Sequence, residues 1–266
     1  FKFLTKQEVN IANYPFATID PNVGVVEVPD ERVTKLAAMS KSKKIIPAVV
    51  EFYDIAGLVK GANVGEGLGN QFLAHIRETQ AIVIVLRTFR GSSIIHVENS
   101  IDPLRDLGTI NTELILKDLE SIEKMLFRAE GDARSGKKEA VQERDALREI
   151  KKRLESGKLP LSQDEHPNKL ENVGVSKLNL LTSKRQIYLL NGVDADVPSE
   201  LIQEIKKLGA GYIIADLAKS ATIPELIRKA YAILGLISFF TTGEDETRAW
   251  TIEKGTRAPE AAGVIH

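Results

Sequence analysis

The 266-residue sequence predicts an α/β fold built on a parallel sheet. Three observations carry this. Short apolar runs rich in β-branched residues, at 23–28, 45–53, 81–87, 186–190 and 212–215, have the length and composition of strands. Helical patterns at 71–78 and 199–208 lie between them, and one at 223–234 follows the last. Residues 81–87 are apolar almost throughout, as in a strand covered on both faces. Strands that alternate with helices imply parallel pairing.

Taken in order, 13–22 is a loop of turn formers, 23–28 a strand, and 45–53 a strand that ends in Asp54-Ile55-Ala56-Gly57. A Gly-rich loop then leads into the helix at 71–78 and the strand at 81–87. The zone from about 110 to 158 has no proline and little glycine. There Ile115, Leu119, Ile122 and Leu126 are spaced 4-3-4, the seam of a helix that packs on another helix. Leu147, Ile150 and Leu154 repeat the spacing, and Arg134-Ser135-Gly136-Lys137 breaks the run between them. Glu120 with Lys124, and Glu149 with Arg153, are i,i+4 pairs in the favourable orientation. An inserted antiparallel helical hairpin follows. Residues 159–184 read as a polar loop with one short helix. Strand, helix, strand and helix then resume, with Pro224 near the start of the last helix. After Leu236 the texture changes, and 247–252 with a Gly/Pro-rich tail suggests the opening of a small β domain. The expected division is 1–110 with 185–235, an insertion at 111–184, and a separate start at 236–266.

Composition narrows function. Lys and Arg total 36 against 37 Asp and Glu, a net charge of −1. That excludes a strongly basic nucleic-acid coat and an acidic tail protein, but not a local basic face. With no cysteine, disulfide scaffolds, thiolate zinc sites and Cys nucleophiles are excluded. No apolar run approaches the roughly 18 residues of a membrane-crossing helix. No secretory leader pattern opens the sequence, so no membrane partner is expected.

Three segments carry chemistry. Asp54 and Gly57 lie where a strand ends, the side on which parallel sheets bind ligands. Asp54 there can hold Mg²⁺, and the Gly57 backbone N–H can approach a γ-phosphate. A turn with an Asp cap is the simpler alternative. Asn191-Gly192-Val193-Asp194 follows the strand at 187–190. Asn-Lys-x-Asp at such a point reads guanine: the carboxylate accepts from N1–H and the 2-amino group, donors adenine lacks. Here Gly192 replaces the Lys, and a plain loop is the even alternative. Thr18, in the loop 13–22, has a hydroxyl that can enter an Mg²⁺ shell when a triphosphate is bound.

Longer strings are more specific. Residues 13–22, Asp54-Ile55-Ala56-Gly57-Leu58-Val59-Lys60-Gly61-Ala62, Gly65-Glu66-Gly67-Leu68-Gly69-Asn70, Ile76-Arg77-Glu78-Thr79 and Asn111-Thr112-Glu113-Leu114 resemble the YchF, or Obg-like ATPase, family of P-loop NTPases. Residues 240–243, 248–252 and 258–266 resemble the start of that family's TGS domain, a β-grasp module. The resemblance implies a P-loop NTPase G domain, a helical-hairpin (coiled-coil) insertion and the start of a TGS domain. It implies that the Gly-x-x-x-x-Gly-Lys-Ser phosphate loop precedes Phe1, so a slice of a longer chain is expected. It assigns Thr18 and Asp54 to Mg²⁺, and Asp54 with Gly57 to the second switch. Leu58 stands where ordinary GTPases have a water-positioning Gln; the resemblance passes that task to His96. Asn191, Gly192 and Asp194 take the base. The family pattern Asn-x-x-Glu goes with ATP, whereas Asp194 is nearer the guanine-reading type, so ATP is the expected substrate with GTP the alternative. Residue 17, a Cys in some members, is Ala17 here.

The implied function is a Mg²⁺-dependent ATP- or GTP-hydrolysing switch in translation or stress regulation, with the ribosome or its RNA as partner. A cytoplasmic location and a monomeric state are expected. Lys137, Lys138, Lys151, Lys152 and Arg153 are candidate phosphate contacts, although Glu139 and Glu149 leave the arm near neutral. The alternatives are an RNA- or ribosome-binding module in which turnover is incidental, and a GTP-selective GTPase.

Overall fold

The computed structural model describes residues 22–55, 75–89, 100–157, 178–217 and 223–265. In chain order the elements are β1 (Asn22–Glu27), α1 (Glu31–Ser40), β2 (Lys44–Ile46), β3 (Val49–Asp54), β4 (Ala81–Arg87), α2 (Pro103–Ala133), α3 (Lys138–Glu155), β5 (Arg185–Asn191), α4 (Ser199–Lys207), β6 (Gly211–Ala215), α5 (Ile223–Ile233), β7 (Leu236–Thr242), β8 (Glu246–Glu253) and α6 (Ala258–Gly263). They fall into two compact units: 21–54 with 215–266, and 55–214.

In the first unit β1 pairs antiparallel with β3, from Asn22 opposite Asp54 to Glu27 opposite Val49. The period-2 pattern decides which side chains go inward. Val26, Val28 and Val50 are buried with Val33 of α1, Ile227 and Tyr231 of α5, and Ala249 of β8. β7 and β8 form an antiparallel hairpin, and β2 adds to β8 in parallel. The run 45–53, read as one strand, is two. Pro47 interrupts it, because proline has no N–H to give a ladder. Helix α1 escaped the sequence reading, although its signals are present. Asp30 caps it by accepting from the Arg32 N–H at 3.0 Å, and Val33 and Ala37 form its buried stripe. It ends at Lys41, which takes a left-handed conformation with φ of 52°.

In the second unit β4 and β5 pair in parallel, from Ala81 opposite Arg185 to Arg87 opposite Asn191, and β6 lies on the far side of β5. The central strand is the most buried: residues 186–190 are all covered. Ile84, Leu86, Tyr188 and Leu190 pack with Leu107 of α2 and with Leu201 and Ile205 of α4. The long helical zone is the expected hairpin. Ile115, Ile122 and Ala129 of α2 meet Leu147, Ile150 and Leu154 of α3. Arg148 with Glu130 at 2.7 Å, and Lys151 with Glu123 at 2.9 Å, join the two helices outside that seam. Helix α2 begins at Pro103 behind an Asp102 cap, so it runs through position 111 without a break. Gly136, with φ of 72°, makes the turn. Residues 131–137 there spell Gly-x-x-x-x-Gly-Lys. A phosphate loop runs from a strand into a helix, whereas this segment joins two helices, and Lys138 follows where Ser or Thr would be needed.

One buried carboxylate ties the hairpin to the sheet. Asp118 is fully buried on α2. It accepts from the Leu181 N–H at 2.9 Å, the Thr182 N–H at 2.8 Å and the Thr182 hydroxyl at 2.6 Å. Those donors belong to a 3₁₀ turn (Leu181–Ser183) just ahead of β5. Burial pushes the Asp118 carboxyl up, against the pull of these bonds. Beside it, the Lys184 ammonium donates to the carbonyls of Arg77 and Thr79 and to Asn179 Oδ1. Burial lowers its pKa. The entrances to β4 and β5 are thus joined. Asp118→Ala is expected to cost about 2–4 kcal/mol in urea unfolding, since two backbone donors and a hydroxyl lose their acceptor. Asp118→Asn should recover only part, because an amide NH₂ would face a donor.

On the outer face of α2, Glu120 accepts from Lys117 and Lys124. Those bonds hold its carboxyl down at about 2. The Glu120 side chain is 42% exposed, so solvent screens the pairs. Its folded pKa is depressed. Its contribution is therefore complete above the unfolded value of about 4.3 and is lost as pH falls towards about 2. An NMR titration of the Glu120 carboxyl should show the low midpoint, and Lys117→Ala should move it back towards the ordinary range.

Candidate nucleotide-binding site

Parallel pairing brings the carboxyl ends of β4 and β5 side by side, with Arg87 opposite Asn191. The chain leaves β4 through Thr88 and Phe89 and leaves β5 through Gly192. The Asn191 carbonyl gathers three donors: the Thr88 N–H at 3.0 Å, the Phe89 N–H at 3.2 Å and the Thr88 hydroxyl at 2.9 Å. Thr88 and Gly192 are both buried. Val193 and Asp194 then turn outward, and Asp194 opens a 3₁₀ turn (Asp194–Asp196) closed by the Val197 N–H to the Asp194 carbonyl. The Arg87 guanidinium lies over the Phe89 ring, 4.4 Å from its centroid. The Asp194 carboxylate therefore stands exposed at the rim of the strand ends, on a loop pinned at its first residue.

Asp54 is at the last position of β3, the strand end the sequence implies, and is half-buried, but the described partner of β3 is the antiparallel β1 rather than a strand of the parallel sheet. It lies in the first unit, whereas Asn191, Gly192 and Asp194 lie in the second. Thr18, Gly57 and His96 fall outside the described residues. A single strand-end carboxylate suits Mg²⁺, which keeps several waters and is held mainly by one or two carboxylates and the phosphates of its substrate. Among the described residues, no group of three or more acidic, His or Cys side chains could hold a metal ion. No described helix is long and apolar enough to cross a membrane.

The sequence reading missed Thr88. The signal was indirect: position 192 is Gly where Asn-Lys-x-Asp sites carry Lys, and the space beside it is filled from elsewhere in the chain. A Cβ built on Gly192 would lie 2.2 Å from Thr88 Oγ1.

Similarity to known proteins accords with this arrangement. Residues 1–123 match a family described as 50S ribosome-binding GTPase, and residues 236–266 match the YchF GTPase C-terminal family, described as a protein of unknown function. The whole chain aligns with 80% of the "Ribosome-binding ATPase YchF" of Bacillus subtilis at 42% identity. The chain belongs to the YchF, or Obg-like ATPase, family. A second YchF relative, from Haemophilus influenzae, is 41% identical over all of this chain and 80% of its own length. The "Obg-like ATPase 1" of Schizosaccharomyces pombe is 37% identical over all of this chain and 77% of its own length. The solved YchF GTPase structure from the same yeast superposes with a TM-score of 0.73 at 36% identity, covering all of this chain and 79% of that one. The P-loop NTPase α/β fold expected of a YchF member is therefore the fold of this protein.

Thr88→Val keeps the shape and removes the hydroxyl. It is expected to cost about 1 kcal/mol, read by urea unfolding, because the Asn191 carbonyl keeps its two N–H donors.

Proposed function

We propose that this protein is a Mg²⁺-dependent nucleoside triphosphatase that hydrolyses ATP and acts as a ribosome-associated switch. The observation that carries the reading is the Asn191–Asp194 loop. It follows the central strand of a parallel sheet, at the edge where such sheets bind nucleotides, in a family whose relatives are named ribosome-binding ATPases. Asn191, Gly192 and Asp194 meet the base. Asp54, with Thr18, holds Mg²⁺. Gly57 offers its N–H to the γ-phosphate. Leu58 has no donor or acceptor, so His96 positions the water for in-line attack. Mg²⁺, when bound, draws charge from the phosphate oxygens. Residues 111–184 form a docking arm, and 236–266 open a TGS module. The site of action is the cytoplasm and the working form a monomer. The 266 residues contain no Gly-x-x-x-x-Gly-Lys-Ser/Thr string. This stretch by itself is therefore expected to turn over no nucleotide, since such loops supply most of the phosphate binding.

A second reading rests on Asp194. A carboxylate in this place can accept two guanine donors, which favours GTP, and a relative of known structure is named a GTPase. ATP and GTP affinities of the full-length protein, with and without Mg²⁺, separate the two. Strong guanine preference that disappears in Asp194→Ala would overturn the ATP assignment. His96→Ala in the full-length protein is expected to lower kcat about 10²–10⁴-fold with little change in nucleotide affinity. Turnover at the parental rate would remove His96 from the mechanism. Ribosome binding that persists when nucleotide binding is abolished would favour a binding module instead.

A further inference from the structure

Glycine at 192 lies directly against Thr88. A Cβ on residue 192 would meet Thr88 Oγ1 at 2.2 Å, the Phe89 backbone nitrogen at 3.2 Å and Thr88 Cβ at 3.4 Å. The first of these distances is too short for any side chain. Nor can Thr88 withdraw freely. It is 5% exposed, its hydroxyl bonds the Asn191 carbonyl, and its own N–H bonds the same oxygen. A β-branched side chain also has few χ1 choices.

We propose that Thr88 is a specificity-determining positioning residue of the base site. Its hydroxyl closes position 192 to every side chain. The base is then met there by backbone alone, and Asp194 is left to discriminate on an exposed loop. In Asn-Lys-x-Asp sites the stem of the second residue flanks the base. Without it, water competes at the Asp194 carboxylate, and the guanine donors gain less over adenine. The protein therefore separates ATP from GTP poorly, which fits relatives named both ATPase and GTPase. This rests on the reading that residues 191–194 meet the base.

The test uses fluorescent ATP and GTP analogues with Mg²⁺ on the full-length protein. The parent should discriminate less than about tenfold. Thr88→Ala with Gly192→Lys makes room for the stem and completes Asn-Lys-x-Asp. It should move the ratio towards GTP by about tenfold or more. Thr88→Ser with Gly192→Lys keeps the hydroxyl and should show no such gain. An equal gain in the Ser and Ala backgrounds overturns the proposal, as does no gain in a folded Ala double variant. Thermal melting gives an independent reading. Gly192→Ala should lower the midpoint by several degrees in the parent and by much less in Thr88→Ala. Equal losses in both also overturn the proposal. Asp194→Ala separates the two layers. If it changes neither affinity, the base-site reading fails and the proposal falls with it. If it shifts the ratio while the Ala double variant does not, only the role of Thr88 fails.

Discussion

The arrangement depends on a buried charge. Asp118 sits in the middle of α2, with no solvent around it, and three donors at its oxygens. A buried carboxylate is tolerated only when its lone pairs are satisfied, so the turn that supplies the donors must stay where it is. That turn leads into β5. One side chain therefore sets where the central strand begins. Lys184 extends the arrangement to the segment before β4 by bonding carbonyls of Arg77 and Thr79. Removing either partner would leave buried polar groups exposed to nothing, which costs more than the bonds gain.

Strand β5 is then held at both ends. Its entrance is fixed by Asp118 and its exit by the three donors on the Asn191 carbonyl. Between them lie five buried residues paired in register with β4. Such a strand has little freedom to slide, because a slip of one residue would draw the exposed Arg185 or the half-buried Asn191 into the covered stretch and break the bonds at both ends. The loop that follows inherits this definition at Asn191 and loses it by Asp194, which is exposed. Rigid support with an exposed reading group at the end is the usual form of a ligand loop on an α/β sheet.

Much of this was legible in the residues. The 4-3-4 spacing of Ile115, Leu119, Ile122 and Leu126 reports helix packing directly, because helical neighbours recur every three or four positions. Residues 81–87 and 186–190 are legible as strands from their short apolar runs, but only 186–190 is covered on both faces; in β4 the cover is incomplete, with Val85 53% exposed. The failures share a cause. Pro47 was overlooked inside a run that otherwise looks continuous, and α1 has only two buried positions, too few for a periodic signal. Asp118 and Thr88 were invisible for a different reason. Their partners lie 63 and 103 positions away in the chain, and no local pattern announces a long-range hydrogen bond. Asp54, Asn191, Gly192 and Asp194 stand out from motifs as candidates, and the structure places Asp54 and Asn191 at strand ends with Gly192 and Asp194 in the loop that follows. The reason for glycine at 192 required the third dimension.

The attachment of the hairpin has a mechanical side. Helix α2 is 31 residues long, and Asp118 divides it near the middle. The N-terminal half lies against the sheet through Leu107 and Leu114. The remainder, about 20 Å of helix, projects with α3 packed along it. A rod clamped along half its length and loaded at its free end acts as a lever, and here Asp118 stands at the edge of the clamp with bonds that lead into β5. A push at Gly136 would load Leu181 and Thr182 together with the apolar contacts of the clamp.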